Sequence, residues 1–149
     1  MLTRNKKGTM IVNVLVAIAI IAFLSVMAMP RFKDFEKNLQ LSNVTRDLVT
    51  DLRYAQQLTI SEQIPHFVHF DDINNLYQIS KSDTVVIVIK TVNLPPGISF
   101  KSIVGFTDNN VEFNPYGGVS ESGTIVLTNT NGKIKTINVK PSGYVQLID

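Results

Sequence analysis

The 149-residue chain contains no cysteine and no tryptophan. Without cysteine there is no disulfide scaffold, no zinc site built on thiolates and no cysteine nucleophile, and the redox compartment stays open. Charge is sparse: 14 Lys+Arg against 12 Asp+Glu give +2, too little to argue for nucleic acid by itself. Histidine occurs only at His66 and His69. Three residues apart on a strand, the two rings face opposite sides and do not readily share a metal ion. Asp71 and Asp72 read as a turn rather than an acid/base pair. No Gly-rich phosphate loop, HExxH or EF-hand pattern occurs, and the triplet Asn43-Val44-Thr45 falls on a predicted helix. No catalytic constellation, cofactor site or metal site follows from these residues, so enzyme activity is not expected. At roughly 150 residues per domain, the length allows one globular domain with an appendage.

What the chain does have is one very apolar run. Residues 9–29 are 21 positions with 18 apolar side chains, no charge, no Gly and no Pro. As a helix such a run spans about 32 Å, close to the ~30 Å hydrocarbon core of a bilayer. In lipid the backbone must satisfy its own polar groups, so helix is the expected state despite the Val and Ile content. Ahead of it, Arg4, Lys6 and Lys7 give +3 with no acid. By the positive-inside rule that end stays in the cytoplasm and the remainder is exported. From Thr9 onward, 11 basic and 12 acidic residues leave −1, so the basic excess belongs to the leader. A secretory signal peptide fits poorly, because its apolar region runs about 7–15 residues and ends in a small-x-small site. A plain single-pass anchor is the simpler alternative.

The arrangement Lys6-Lys7-Gly8-Thr9-Met10-Ile11-Val12-Asn13, closed by Pro30, resembles the N-terminus of type IV pilins and type II secretion pseudopilins. That resemblance implies cleavage by a prepilin peptidase between Gly8 and Thr9, and N-methylation of Thr9. It also implies an apolar helix over 9–30 that first anchors the subunit and later packs in a filament core. Pro30 falls where the family often carries a helix-kinking proline. Asn13 departs from the pattern, since the family usually has Glu there. A charge in the membrane costs about 2.5–3.5 kcal/mol on insertion scales, which pairing with a neighbour's cationic N-terminus can offset. Asn13 offers a hydrogen bond without charge, so docking at this position is expected to be weaker. That disfavours a bulk filament subunit.

After Pro30 the pattern changes. Apolar residues at Phe32, Phe35 and Leu39, then at Leu41, Val44, Leu48, Leu52, Ala55 and Leu58, have helical spacing with a phase shift after Leu39. Arg, Asp, Gln and Thr are expected on the opposite side. The spacing predicts an amphipathic helix over 31–63, ended by Pro65. From 65 to 149 the texture is β, with predicted strands at 66–70, 76–80, 84–92, 98–106, 111–113, 124–128, 133–139 and 144–148. Asn131-Gly132 is expected to form a two-residue type I′ hairpin turn. The fold class expected is α+β: a long N-terminal helix, half transmembrane and half amphipathic, packed on an antiparallel β-sheet or β-sandwich.

Five features in order resemble the GspH/FimT group of minor pseudopilins: Asp51-Leu-Arg-Tyr-Ala-Gln-Gln57, residues 65–70, Leu94-Pro-Pro-Gly97, Val111-Glu-Phe-Asn-Pro-Tyr-Gly117 and Ser142-Gly-Tyr-Val145. The resemblance implies a structural subunit of a type II secretion or type IV pilus-like assembly, in a tip or initiating complex. Its implied partners are other pilins and pseudopilins, the prepilin peptidase, an inner-membrane assembly platform and membrane lipid. The implied location is the bacterial inner membrane, single-pass, with the soluble domain at 31–149 exported and later carried into a pilus or pseudopilus. The alternative is a DNA-uptake pilin. Some FimT-type members carry a Gly-Arg-x-Arg-like closing strand, where this chain has Gly143-Tyr144-Val145-Gln146. Lys133, Lys135 and Lys140 could touch phosphates, but they are a weak footprint on a chain of charge −1, so nucleic acid is not expected as a partner.

Gly8 is the only glycine before position 97 and leaves no side chain to obstruct cleavage at the membrane face. Intact-mass measurement on membrane-extracted protein is expected to show loss of residues 1–8 and one added methyl group on Thr9. An uncleaved N-terminus in cells that contain the peptidase contradicts the expectation.

Overall fold

The computed structural model describes residues 6–148, with the side chains of 6–9 and 26–31 outside that description. One helix, α1 (Lys6–Glu62), is followed by eight strands. They are β1 (His66–Asp71), β2 (Leu76–Ser82), β3 (Val86–Asn93), β4 (Ile98–Val104), β5 (Asn110–Phe113), β6 (Gly123–Asn129), β7 (Ile134–Val139) and β8 (Val145–Ile148). All eight predicted strands are present, each shifted by no more than two residues at either end. The chain divides into two compact units, Met1–Glu36 and Lys37–Asp149.

In the first unit, the described apolar side chains from Met10 to Leu24 are exposed. Among the described residues no helix is long and apolar enough to cross a membrane. The predicted 9–30 span runs past the described side chains at both of its ends. Asn13 lies exposed on this stretch. Gly8, Thr9 and Pro30 fall in helical backbone, and their side chains lie outside the described residues; the leader residues 1–5 lie outside altogether.

In the second unit, the helix buries Leu41, Thr45, Leu48, Val49, Leu52, Ala55 and Thr59 against the strands. Sheet A has strand order β3-β2-β1-β5 and sheet B has β4-β6-β7-β8, antiparallel throughout. Alternation sets the faces: in β1, His66, Val68 and Phe70 point inward, while Phe67 and His69 do not. Phe70 of β1 meets Phe100 of β4 edge to face at 5.6 Å, so both sheets and the helix share one core. The chain moves from sheet A to sheet B through Leu94-Pro-Pro-Gly97. There Ile98 N–H donates to the Pro95 carbonyl at 3.1 Å, and Gly97 adopts a left-handed φ of +89°.

Three expectations need correction. The helix stripe is not purely apolar on one side: Thr45, Thr59 and Asp51 are buried, and Phe32, Phe35 and Leu39 are exposed. The threonines are tolerated because each hydroxyl donates back into the helix, Thr45 to the Leu41 carbonyl at 2.6 Å and Thr59 to the Ala55 carbonyl at 3.0 Å. The helix ends at Glu62, one residue from the expected 63, and only the cause is corrected: Gln63 turns left-handed (φ +57°) two residues ahead of Pro65, its N–H on the Thr59 carbonyl at 3.0 Å. The β6–β7 connection is not a type I′ turn, since Gly132 has positive φ and Asn131 does not. It is a three-residue loop in which Gly132 N–H donates to the Asn129 carbonyl at 2.9 Å. The Asn129 side-chain oxygen accepts from the N–H groups of Asn131 and Lys133, which fixes the loop in this form.

A fragment starting at Arg31 is expected to fold without the apolar run, since residues 37–149 carry the whole buried core. Circular dichroism and cooperative urea unfolding check this. In that fragment Leu52→Ala, at a fully buried position, is expected to cost about 2–5 kcal/mol, and Phe32→Ala, at an exposed one, much less.

Candidate functional site

Polar side chains in the C-terminal half of α1 hold the β domain, among them Asp51, Arg53 and Gln56. Asp51 sits on the same helical face as Leu48, Leu52 and Ala55 and is buried. A buried carboxylate is costly unless it is hydrogen-bonded. Here the Tyr77 hydroxyl of β2 donates to Oδ2 at 2.6 Å, and the Lys90 ammonium of β3 donates to Oδ1 at 2.7 Å and Oδ2 at 2.8 Å. Burial, and then the bond to Asp51, push the Tyr77 phenol above its ordinary range, so it remains the proton donor. Lys90 reaches inward because it lies opposite Ile79, an inward residue of β2.

Two residues further along, Arg53 donates through Nη2 to the Val145 carbonyl of β8 at 3.1 Å. Gln56 donates through Nε2 to the Gly117 carbonyl at 2.6 Å. Three separate sequence stretches therefore meet: the helix end, the 111–117 stretch and the closing 142–145 stretch. Their approach demands glycine. Gly143 has φ +76°, and a Cβ there would overlap the Gly117 carbonyl oxygen and press on Gln56 Nε2. Gly117 is held by its N–H bond to the Asn114 carbonyl at 2.8 Å, and Asn114 Oδ1 accepts from Tyr116 and Gly118. Beside this clamp Arg53, Gln56, Ile60 and Tyr144 line an open groove.

The other candidates do not gather into a reactive site. His66 is fully buried, and its Nδ1 lies 2.8 Å from the Ile64 carbonyl; His69, on the other face of β1, meets Asn110 Oδ1 at 2.9 Å. Asp71 caps the β1–β2 turn. Hydrogen bonds from the Asn74 side chain and backbone hold its carboxyl below the usual range. Among the described residues no cluster of three His, Cys, Asp or Glu is placed to hold a metal ion. The lysines are spread along β7: Lys133 and Lys135 lie at its start, and Lys140 follows its end with the ammonium 5.5 Å above the Tyr144 ring. Lys135 and Lys140 are about 17 Å apart at strand rise.

Read by residue type, Asp51 falls on the solvated side, and no periodicity singles out Lys90, Tyr77, Arg53 or Gln56. One signal was available: a carboxylate at position 51 interrupts the 48, 52, 55 stripe and so requires a partner. The identity of the partner has no such signal, because Lys90 is 39 residues away in sequence.

Asp51→Ala is expected to leave the buried Tyr77 hydroxyl unpaired and to lower stability by about 2–3 kcal/mol, with Tyr77→Phe costing about 1. A double-mutant cycle in urea should show non-additivity between them. Gly143→Ala is expected to destabilise by at least ~2 kcal/mol, from left-handed strain plus overlap with backbone.

Comparison with known proteins bears on this arrangement. The minor pseudopilin EpsH from the type 2 secretion system of Vibrio cholerae is similar at a TM-score of 0.64 and 11% identity, over 73% of this chain and 96% of that one. The type IV minor pilin FimU of Pseudomonas aeruginosa gives 0.63 and 14%, over 77% and 92%. No curated protein sequence matches. The family described as type II transport protein GspH matches residues 44–143, a stretch that includes Asp51, Arg53, Gln56, Gly117 and Gly143. The chain belongs to the GspH family of type II transport proteins.

Proposed function

We propose that the protein is a minor pseudopilin, a structural subunit of a type II secretion or type IV pilus-like assembly that works in a tip or initiating complex. The observation that carries this reading is the exposed apolar stretch from Met10 to Leu24 preceding a GspH-type domain. Such a continuous apolar surface is not left in water. Membrane lipid covers it during storage and the apolar helices of other pilin subunits cover it after assembly. Residues 1–8 are the leader removed by the prepilin peptidase, Thr9 is the methylated first residue, and 9–30 is the anchoring helix. The inner-membrane platform then feeds the subunit into a filament. Similarity to EpsH and to FimU supports both kinds of machine equally, since one serves type 2 secretion and the other a type IV pilus.

The work of the chain is assembly rather than catalysis. Its β domain presents surfaces, and the Asp51 and Gln56 bonds hold those surfaces to the helix. Asn13 supports a low copy number. A neutral hydrogen bond is worth about 0.5–1.5 kcal/mol net and a charge-assisted one about 1.5–3. Repeated along a shaft, that deficit favours any competing subunit that retains Glu; at a tip, docking occurs once. DNA uptake is the second reading. The separation of Lys133 and Lys135 from Lys140, and the absence of arginine at Tyr144 and Gln146, weigh against it.

Quantitative mass spectrometry of sheared filaments is expected to find this chain far below the main subunit, and Asn13→Glu to raise its share. Stoichiometry comparable to the main subunit, or smooth filaments built from this chain alone, contradicts the reading.

A further inference from the structure

The two sheets end on four edge strands: β3 and β5 in sheet A, β4 and β8 in sheet B. Three are blunted. β5 is four residues long, and Phe113 bridges to Val119. β8 is also four residues long, and Arg53 takes its Val145 carbonyl. β4 is bulged between Phe100 and Ser102, with Lys101 exposed at the bulge. Short length, bulges and edge lysines are how sheets avoid pairing with other chains.

β3 is different. It is eight residues long and, among the described residues, pairs only with β2. Residues 85–89 read Val-Val-Ile-Val-Ile and are exposed, from 69% at Val85 to 41% at Ile89. Its bulge lies at Ile89, so Val86, Ile87 and Val88 keep regular pairing with Ser82, Lys81 and Ser80. Its single charge, Lys90, is bound to Asp51 and turned toward the helix. The lysine that could guard this edge stays half-exposed, but its ammonium is held at Asp51 and leaves residues 85–89 without a charge of their own.

We propose that β3 of one copy pairs antiparallel with β3 of a second copy, joining two A sheets into one eight-stranded sheet. The free backbone edge requires an extended partner, and the apolar side chains on both faces require one that is uncharged and free of proline. Residues 85–89 are themselves such a segment. Pairing about a two-fold axis is isologous, so it consumes the edge and stops at two copies. A strand contact of this length stays below the ~1,200 Å² of a standard interface, which makes the pair reversible. Full overlap of 85–89 with its copy sets Ile87 opposite Ile87 of the second copy and Val86 opposite Val88.

Opposed Cα atoms in such a pair lie about 4.5–5.5 Å apart, inside the range a disulfide can bridge. The chain has no native cysteine, so single substitutions in the full-length membrane protein report cleanly. Under mild oxidation Ile87→Cys is expected to yield about tenfold more covalent dimer than Ile73→Cys, an 88% exposed control in the β1–β2 turn. Adding Val86→Lys, or separately Val88→Lys, should abolish that dimer while circular dichroism and melting temperature stay unchanged. Equal dimer yields from Ile87→Cys and Ile73→Cys, no dimer, or dimer that persists with both lysine variants overturns the proposal. So does Ile87→Cys coupling to a different polypeptide and not to itself.

Discussion

Asp51 is a carboxylate placed on the buried face of an otherwise apolar helix, and the second unit is organised around satisfying it. Leu48, Leu52 and Ala55 drive that face against the strands, which takes Asp51 out of water with them. The cost of a buried charge is recovered only if donors arrive on the partner element. Tyr77 and Lys90 arrive from adjacent strands, β2 and β3, and so fix where sheet A lies along the helix. Because the bonds are directional, they specify register more tightly than aliphatic contact can. A sheet slipped by one residue would turn Tyr77 and Lys90 to the other face and leave Asp51 alone.

A second consequence follows at the edge of the sheet. Satisfying Asp51 draws Lys90 inward, and Lys90 is the one charge on β3. The interaction that secures the core thereby leaves the edge at 85–89 apolar. Sheet B is tied to the same helix by the Val145 carbonyl of β8, which accepts from Arg53, and by Asn129 of β6, which donates to Asn38. Gln56 holds the loop after β5 through the Gly117 carbonyl. The Gly117 carbonyl reaches Gln56 at this crossing because Gly143 carries no side chain there. Three of the five family-like stretches, 51–57, 111–117 and 142–145, thus form one clamp: they meet in space and have no common sequence spacing.

This explains what pattern reading could find. Strands such as β6, with Ile125 and Leu127 alternating inward, announce themselves because side-chain period and burial coincide. The hairpin at Asn131-Gly132 was legible as a turn, but its type was not. The deciding bond comes from the Asn129 side chain, which competes with the local preference of Asn131. The buried threonines were illegible for a related reason: each hydroxyl donates back into the helix, to the Leu41 or Ala55 carbonyl, and Thr59 also accepts from the His66 N–H.

The amino-acid order alone determined the apolar run at 9–29 with its basic leader, the helix that follows it and the eight strands, because each rests on local composition and periodicity. It also determined the family resemblance, which rests on the order of short motifs. Tertiary structure decided which strands share a sheet, that Asp51 is an anchor rather than a solvated charge, and that Lys90 faces inward. Those outcomes depend on which distant residues meet, such as Asp51 with Lys90 or Gln56 with Gly117. Burial turns each meeting into a requirement, since a polar group removed from water must find its partner within the fold.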